Sequence, residues 1–174
     1  HAGRWSDALG TLRVALRQKA LEVEAGQRRE AGLLLEQARA ARDAGDGREA
    51  ARLAERATGA APQFIPAIIF AAGQFLALGK RSQAERMISQ AWSNTPHPAL
   101  AQYFNEIHSG DDALARAKYF EKLAARNPGH PESHLLLASG ALDAELGGSA
   151  RSDLQAVLDA RPSAGVYRRL ALLE

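Results

Sequence analysis

His130 and His134 stand four residues apart, the spacing that sets two imidazoles on one helix face and opens many zinc or haem-iron sites. No third ligand lies near them in sequence. His130 also precedes Pro131, which disfavours helical backbone at the residue before it. The pair therefore reads as a helix boundary, and His97 before Pro98 repeats the arrangement. The run Gly73 to Arg81 has the glycines and the lysine of a phosphate loop. It fails on spacing, with five residues between Gly73 and Gly79, and on Arg81, which stands where Ser or Thr must hold magnesium. Asp111-Asp112 could supply paired carboxylates. They follow Ser109-Gly110 and lead into a helix, where acidic residues complement the N-terminal dipole. Ser, His and Asp all occur, without a Gly-x-Ser-x-Gly elbow to present a nucleophile. Arg28-Arg29 and Arg168-Arg169 read as solvated charges, since adjacent helical residues do not share a face. Absence of Cys excludes thiolate catalysis, disulfides and Cys-ligated metal. The expectation is a chain that is not an enzyme, with no cofactor and no metal.

The elements that must position these residues are helical. Ala, Leu, Arg, Glu and Gln dominate, and aromatics are only 6%. Charged residues at 24% are an ordinary globular share. Lys plus Arg exceed Asp plus Glu by two, and the bases are scattered, so no nucleic-acid partner is expected. The most apolar run, Phe64 to Gly79, is broken by Pro66 and Gln74 and falls short of the ~20 residues a membrane helix needs. With His1 rather than Met first, the chain reads as a fragment of a longer protein.

A repeat organises the helices. Ala50, Ala54, Ala57 and Pro62 recur 34 residues on as Ala84, Ile88, Ala91 and Pro96. They recur again 32 on as Arg116, Phe120, Leu123 and Pro128, and 34 on as Ala150, Leu154, Val157 and Pro162. Ala8, Leu12 and Ala15 match 42 residues before Ala50, which implies an extended helix between. Small residues let paired helices approach, the bulky one fills the space, and the proline ends the second helix. Before each set lies a first helix. Asp7 to Gln18 is separated by Gly26 from Gln27 to Ala44, with Leu33, Leu34, Ala38 and Ala41 inward. Pro66 to Leu78 turns Ile68, Ala72 and Phe75 inward. Pro98 to His108 does so with Leu100, Phe104 and Ile107, and Pro131 to Glu145 with Leu137, Ala138 and Ala141. Gly45-Asp46-Gly47 makes a turn, and Asp46/Glu49 and Ser82/Glu85 read as capping boxes. Ala164 to Glu174 is a half-repeat. The expected fold is all-α, a right-handed superhelical solenoid of helix–turn–helix repeats, single over 1–174 and four to five repeats long.

The 34-residue pattern resembles tetratricopeptide (TPR) repeats over nearly the whole chain. A narrower likeness joins Ala60-Ala61-Pro62-Gln63-Phe64-Ile65-Pro66-Ala67, Ala84-Glu85-Arg86 to Ala91-Trp92, Pro96-His97-Pro98-Ala99-Leu100 and Asn127-Pro128-Gly129-His130-Pro131-Glu132-Ser133. In this order they are similar to the C-terminal repeat region of bacterial HemY proteins. That resemblance implies a parent anchored in the bacterial inner membrane, with this soluble fragment on the cytoplasmic side. It also implies a role with late haem-biosynthesis enzymes, and it brings no catalytic residues. The TPR resemblance implies that first helices line a concave groove. In this phase the groove carries Leu35, Arg39 and Arg42, then Ile69, Phe70, Gly73 and Leu76, then Gln102, Asn105 and His108, then Leu135, Ser139 and Leu142. The expected ligand is a protein or peptide partner. A chaperone C-terminal tail is not expected, because the clamp places hold Leu35, Arg39, Phe70, Pro98 and Gln102, of which one is basic. The alternative is a porphyrin, with its ring on Ile69, Phe70 and Leu76 and its carboxylates toward Arg39 and Arg42.

Overall fold

The computed structural model describes residues 7–12, 14, 22–160 and 164–171, and every secondary-structure element among them is a helix. In order these are α1 (7–12), α2 (Val23–Asp43), α3 (Gly47–Ala60), α4 (Ile65–Ala77) and α5 (Arg81–Asn94). They continue with α6 (Pro98–Ile107), α7 (Ala113–Ala124), α8 (Pro131–Asp143), α9 (Gly147–Ala160) and α10 (Ala164–Ala171). The all-α, TPR-like succession of helix–turn–helix pairs is as the repeat predicts. No helix among the described residues is long and apolar enough to cross a membrane. The chain divides into two units, His1–Ala91 and Trp92–Glu174.

In the first unit α2 packs on α3 and α3 on α4. Ala31, Ala38, Ala50, Ala54, Ala57, Ala67 and Ala71 are fully buried, with Leu9, Leu34 and Leu53 between them. A methyl group at each crossing lets the helices lie close, and each buried leucine contributes roughly 1.5–3 kcal/mol. The α2–α3 turn is a Schellman cap. Gly45 takes φ +84°, Asp46 N–H donates to the Ala41 carbonyl and Gly45 N–H to that of Arg42. Asp46 Oδ1 then accepts from Glu49 N–H at 2.9 Å and starts α3. The Glu49 side chain turns to Arg52 instead of closing a reciprocal box. The same cap ends α4, with Gly79 at φ +73°.

In the second unit α7 packs on α8, α8 on α9 and α6 on α8, and α10 closes against α9. Its core takes larger side chains: Trp92, Leu100, Phe104, Phe120, Leu123, Leu136, Leu154, Val157 and Val166. The caps are those the sequence predicts. His97 Nδ1 accepts from Ala99 N–H, His130 Nδ1 from Glu132 N–H and Asp112 Oδ1 from Ala115 N–H. Gly140 sits where α8 crosses α7. A Cβ there would lie 2.9 Å from Phe120 Cδ2 and 3.3 Å from Ala117 Cα.

Five expectations about the helices need correction. Leu35, expected on the groove, is 3% exposed and belongs to the core side of α2. Gly26 does not separate helices. It is buried inside α2, its N–H bonded to the Glu22 carbonyl, so the helix runs through it without a turn. Ser82 is not a cap, because α5 already begins at Arg81 and Glu85 accepts from Arg81 Nε at 3.0 Å. Leu136, not Leu137, faces the core from α8, one residue off the predicted phase. In α1, Leu12 is buried as expected, Ala8 is only half-buried, and Leu9, outside the expected set, is buried as well. Ala15, Pro162 and the extension of the first helix to Gln18 lie outside the described residues, as do the side chains of Arg168 and Arg169.

Candidate functional site

Two proline-started helices build a pocket in the second unit. Pro98, Ala101, Gln102 and Asn105 line it from α6. Glu132, Leu135, Leu136 and Ser139 line it from α8, and Phe120 of α7 closes its floor. Three of the α8 positions, Glu132, Leu135 and Ser139, lie 33 or 34 residues beyond α6 counterparts, so equivalent places of successive repeats face each other. The pocket encloses about 330 Å³. Gln102 Nε2 donates to Glu106 Oε1 at a long 3.5 Å. The side chains of Asn105, Glu132 and Ser139 make no hydrogen bond or ion pair among the described residues. Tyr103, half-buried on the same helix, has its hydroxyl pKa pushed up, first by burial and then by Glu106. It therefore stays a neutral donor at physiological pH.

Polar contacts hold this pocket's walls in place. Trp92 Nε1 donates to Ser133 Oγ at 3.0 Å, and Ser133 Oγ donates to the Asn127 carbonyl at 2.7 Å. Arg116 Nη2 donates to Asp143 Oδ2 at 2.8 Å, tying α7 to α8. His134 Nδ1 lies 3.0 Å from Asp153 Oδ1, tying α8 to α9. His130 and His134 are thus engaged separately, one in a cap and one in an inter-helix contact. Asp111 and Asp112 also part: Asp112 caps α7, and Asp111 Oδ2 lies 2.8 Å from His108 Nδ1.

The sequence places His108 in the groove, and the structure removes it. His108 is 0% exposed, its ring stacked on Tyr119 at 4.0 Å and packed against Phe104 at 4.6 Å. It follows α6 at the helix end, so its backbone has left the phase that sets Gln102 and Asn105 on the pocket. Those two do line the pocket, as do Leu135 and Ser139. Glu132 escapes the sequence reading because Pro131 marks it only as a first-turn residue. Phe120 escapes because its repeat position assigns it to the core.

In the first unit, Ile69, Phe70 and Gly73 of α4 are half-buried and Leu76 is 36% exposed. Phe70 packs on the alanine core, and Arg42 lies over its ring with Cζ 5.3 Å from the centroid. Arg42 also donates to Asp43 Oδ1, through Nε at 3.0 Å and Nη2 at 2.8 Å. Arg39 lies 3.6 Å from Glu36. Both arginines already have a carboxylate beside them, which lowers what they can offer a ligand's carboxylates. A second pocket of about 640 Å³ lies between α1 and α2, lined by Ala8, Thr11, Leu12, Arg29, Gly32, Leu33 and Glu36. The predicted groove set thus divides, with Arg39, Arg42, Ile69, Phe70, Gly73 and Leu76 in one unit and Gln102 and Asn105 in the other.

No family model matches the chain. It is similar to the probable magnetosome protein Mms48 of Magnetospirillum gryphiswaldense, at 28% identity over 111 residues, 64% of this chain and 25% of that protein. The chain therefore spans about a quarter of the length of this curated relative. Among solved structures, a MamA protein is similar at 14% identity and a TM-score of 0.47, covering 83% of this chain and 80% of its own. MamA from Desulfovibrio magneticus RS-1 gives 14% and 0.46, covering 83% of each chain. A thermophilic TPR protein of Thermus thermophilus gives 18% and 0.46, covering 98% and 91%. At these values the TPR-like description stands on the 34-residue helix pairs themselves.

Proposed function

We propose that this chain is a non-enzymatic scaffold module that binds a peptide or helix of a protein partner on its first helices, α6 and α8 above all. The observation that carries the reading is the pocket walled by equivalent repeat positions. It has an apolar floor, and three of its polar side chains have no partner among the described residues. Concave apolar sites with a few convergent polar groups are where ligands bind, and stacked helical repeats use such concave surfaces for partners. The apolar face of α4 around Phe70 and Leu76 is the second contact region of the proposal.

A photo-crosslinking residue placed at Asn105 in the parent protein, in cells, tests it. Adducts to a protein partner are expected there and not from Lys118, exposed on α7. A crosslink yield at Asn105 no higher than at Lys118 sinks the pocket reading. Phe70→Asp and Arg39→Glu test the α4 region in the same way.

A narrower form of the proposal sets the parent protein at a bacterial inner membrane, gathering late haem-pathway enzymes. It rests on the HemY resemblance alone. The similarity to Mms48 supports a magnetosome setting instead. Mass spectrometry of the Asn105 adducts separates the two.

A further inference from the structure

The pocket between α6 and α8 has one sign of charge. Glu132 is the only ionisable group in its lining, and no Lys or Arg contributes to it. Glu106, which Gln102 touches, adds a second carboxylate one turn along α6. Two cations of α7 are engaged elsewhere, Arg116 with Asp143 and Lys122 over the Tyr119 ring, and Lys118 is exposed and outside the lining. The Glu132 carboxylate makes no ion pair among the described residues. Beside it, Leu135 and Leu136 stand over Phe120 as an apolar slot, and Asn105 and Ser139 offer an amide and a hydroxyl.

We infer that this pocket takes a short extended peptide carrying an apolar side chain next to a lysine or arginine. The apolar side chain enters the slot over Phe120. The peptide backbone bonds the Asn105 amide, which can donate and accept at once. The cation meets Glu132, with Glu106 reinforcing the field. The inference rests on the peptide-binding reading above and adds the sign of the ligand's charge, opposite to that of an acidic tail. A purely structural role for Glu132 is the rival. It occupies the first turn of α8, where a carboxylate complements the helix dipole.

Selection of random octapeptides displayed on phage against the 174-residue chain supplies the probe. The most enriched peptide, synthesised and labelled, is then titrated by fluorescence anisotropy against the wild type, Glu132→Gln, Glu132→Lys and Ser139→Trp. Circular dichroism melting confirms that each variant is folded. The expected consensus pairs an apolar residue with Lys or Arg. Glu132→Gln weakens binding about fivefold, as loss of one partly exposed charge pair would. Glu132→Lys weakens it more than about tenfold, since like charges then face each other. Both losses shrink at high salt, and Ser139→Trp abolishes binding by filling the pocket. A neutral or acidic consensus that Ser139→Trp still blocks overturns the charge assignment and leaves peptide binding in place. Equal losses on Glu132→Gln for the peptide and for its Lys/Arg→Ala version also overturn it, because they mark the helix-dipole role. Peptides indifferent to Ser139→Trp remove the ligand from this pocket. If no peptide is enriched, both this inference and the peptide-binding reading fall.

Discussion

The two units reach the same helix pairs by different chemistry. The first is cemented by alanine: Ala31, Ala38, Ala50, Ala54, Ala57, Ala67, Ala71, Ala72 and Ala84 are all fully buried. The second uses Trp92, Phe104, Phe120 and leucines, and adds the polar ties Trp92–Ser133, Arg116–Asp143 and His134–Asp153. Their turns differ too. Gly45 and Gly79 take the left-handed backbone in the first unit, whereas Glu145 takes it in the second at φ 58°. Alanine contacts are forgiving and short in reach. Large side chains and buried hydrogen bonds fix one arrangement at the cost of steep penalties when a partner is lost. The unit with the polar ties is also the one whose pocket has equivalent positions on both walls.

The sharpest break in this comparison is Trp92→Ala. It should cost about 3–5 kcal/mol in urea unfolding, by leaving a large cavity and taking from Ser133 Oγ the hydrogen bond it accepts. A loss near that of an ordinary surface substitution would show that the second unit does not depend on its large core. Next come two glycines read against each other. Gly140→Ala should destabilise by about 1–3 kcal/mol, because the added methyl meets the Phe120 ring and the Ala117 backbone. Gly32→Ala, in the middle of α2 with open space around it, should stabilise by up to ~1 kcal/mol through helix propensity. Equal effects from the two would erase the difference in packing between the units. Ser133→Ala should cost about 1–3 kcal/mol by orphaning the Trp92 N–H. A double-mutant cycle with Trp92→Phe should return a coupling energy that isolates the bond. The smallest effect is expected at Glu145→Gly. Relief of the left-handed strain, partly offset by unfolded-state entropy, should raise stability by about 0.5–1 kcal/mol. Gly79→Ala should lower it by about 1 kcal/mol, since that residue holds the same left-handed place.

What the sequence carried, it carried for a physical reason. Ala50, Ala54 and Ala57 recur at helical spacing, so their burial follows from local pattern. Caps are equally local: Asp46, His97, Asp112 and His130 each bond a backbone N–H two or three residues away. Gly26 and Ser82 misled because a glycine can be buried in a helix and a serine can sit one residue past a helix start. Leu136 was missed by a single residue, since 3.6 residues per turn leaves the phase of a short apolar run open by one position. The site was legible only in part. Gln102, Asn105, Leu135 and Ser139 follow the phase of the helix. Glu132, Phe120 and the burial of His108 depend on contacts between helices that no periodicity reports.

The Trp92–Ser133 bond joins residues 41 apart, longer than the span of any one helix pair. Hairpin closure between neighbouring helices is local and fast, whereas a contact at that separation waits until those pieces meet. In a Trp5→Phe background, which leaves Trp92 as the emitting indole, tryptophan emission should therefore lag circular dichroism in a refolding trace. The buried indole acts as an optical clock for docking of α8, rather than for helix formation.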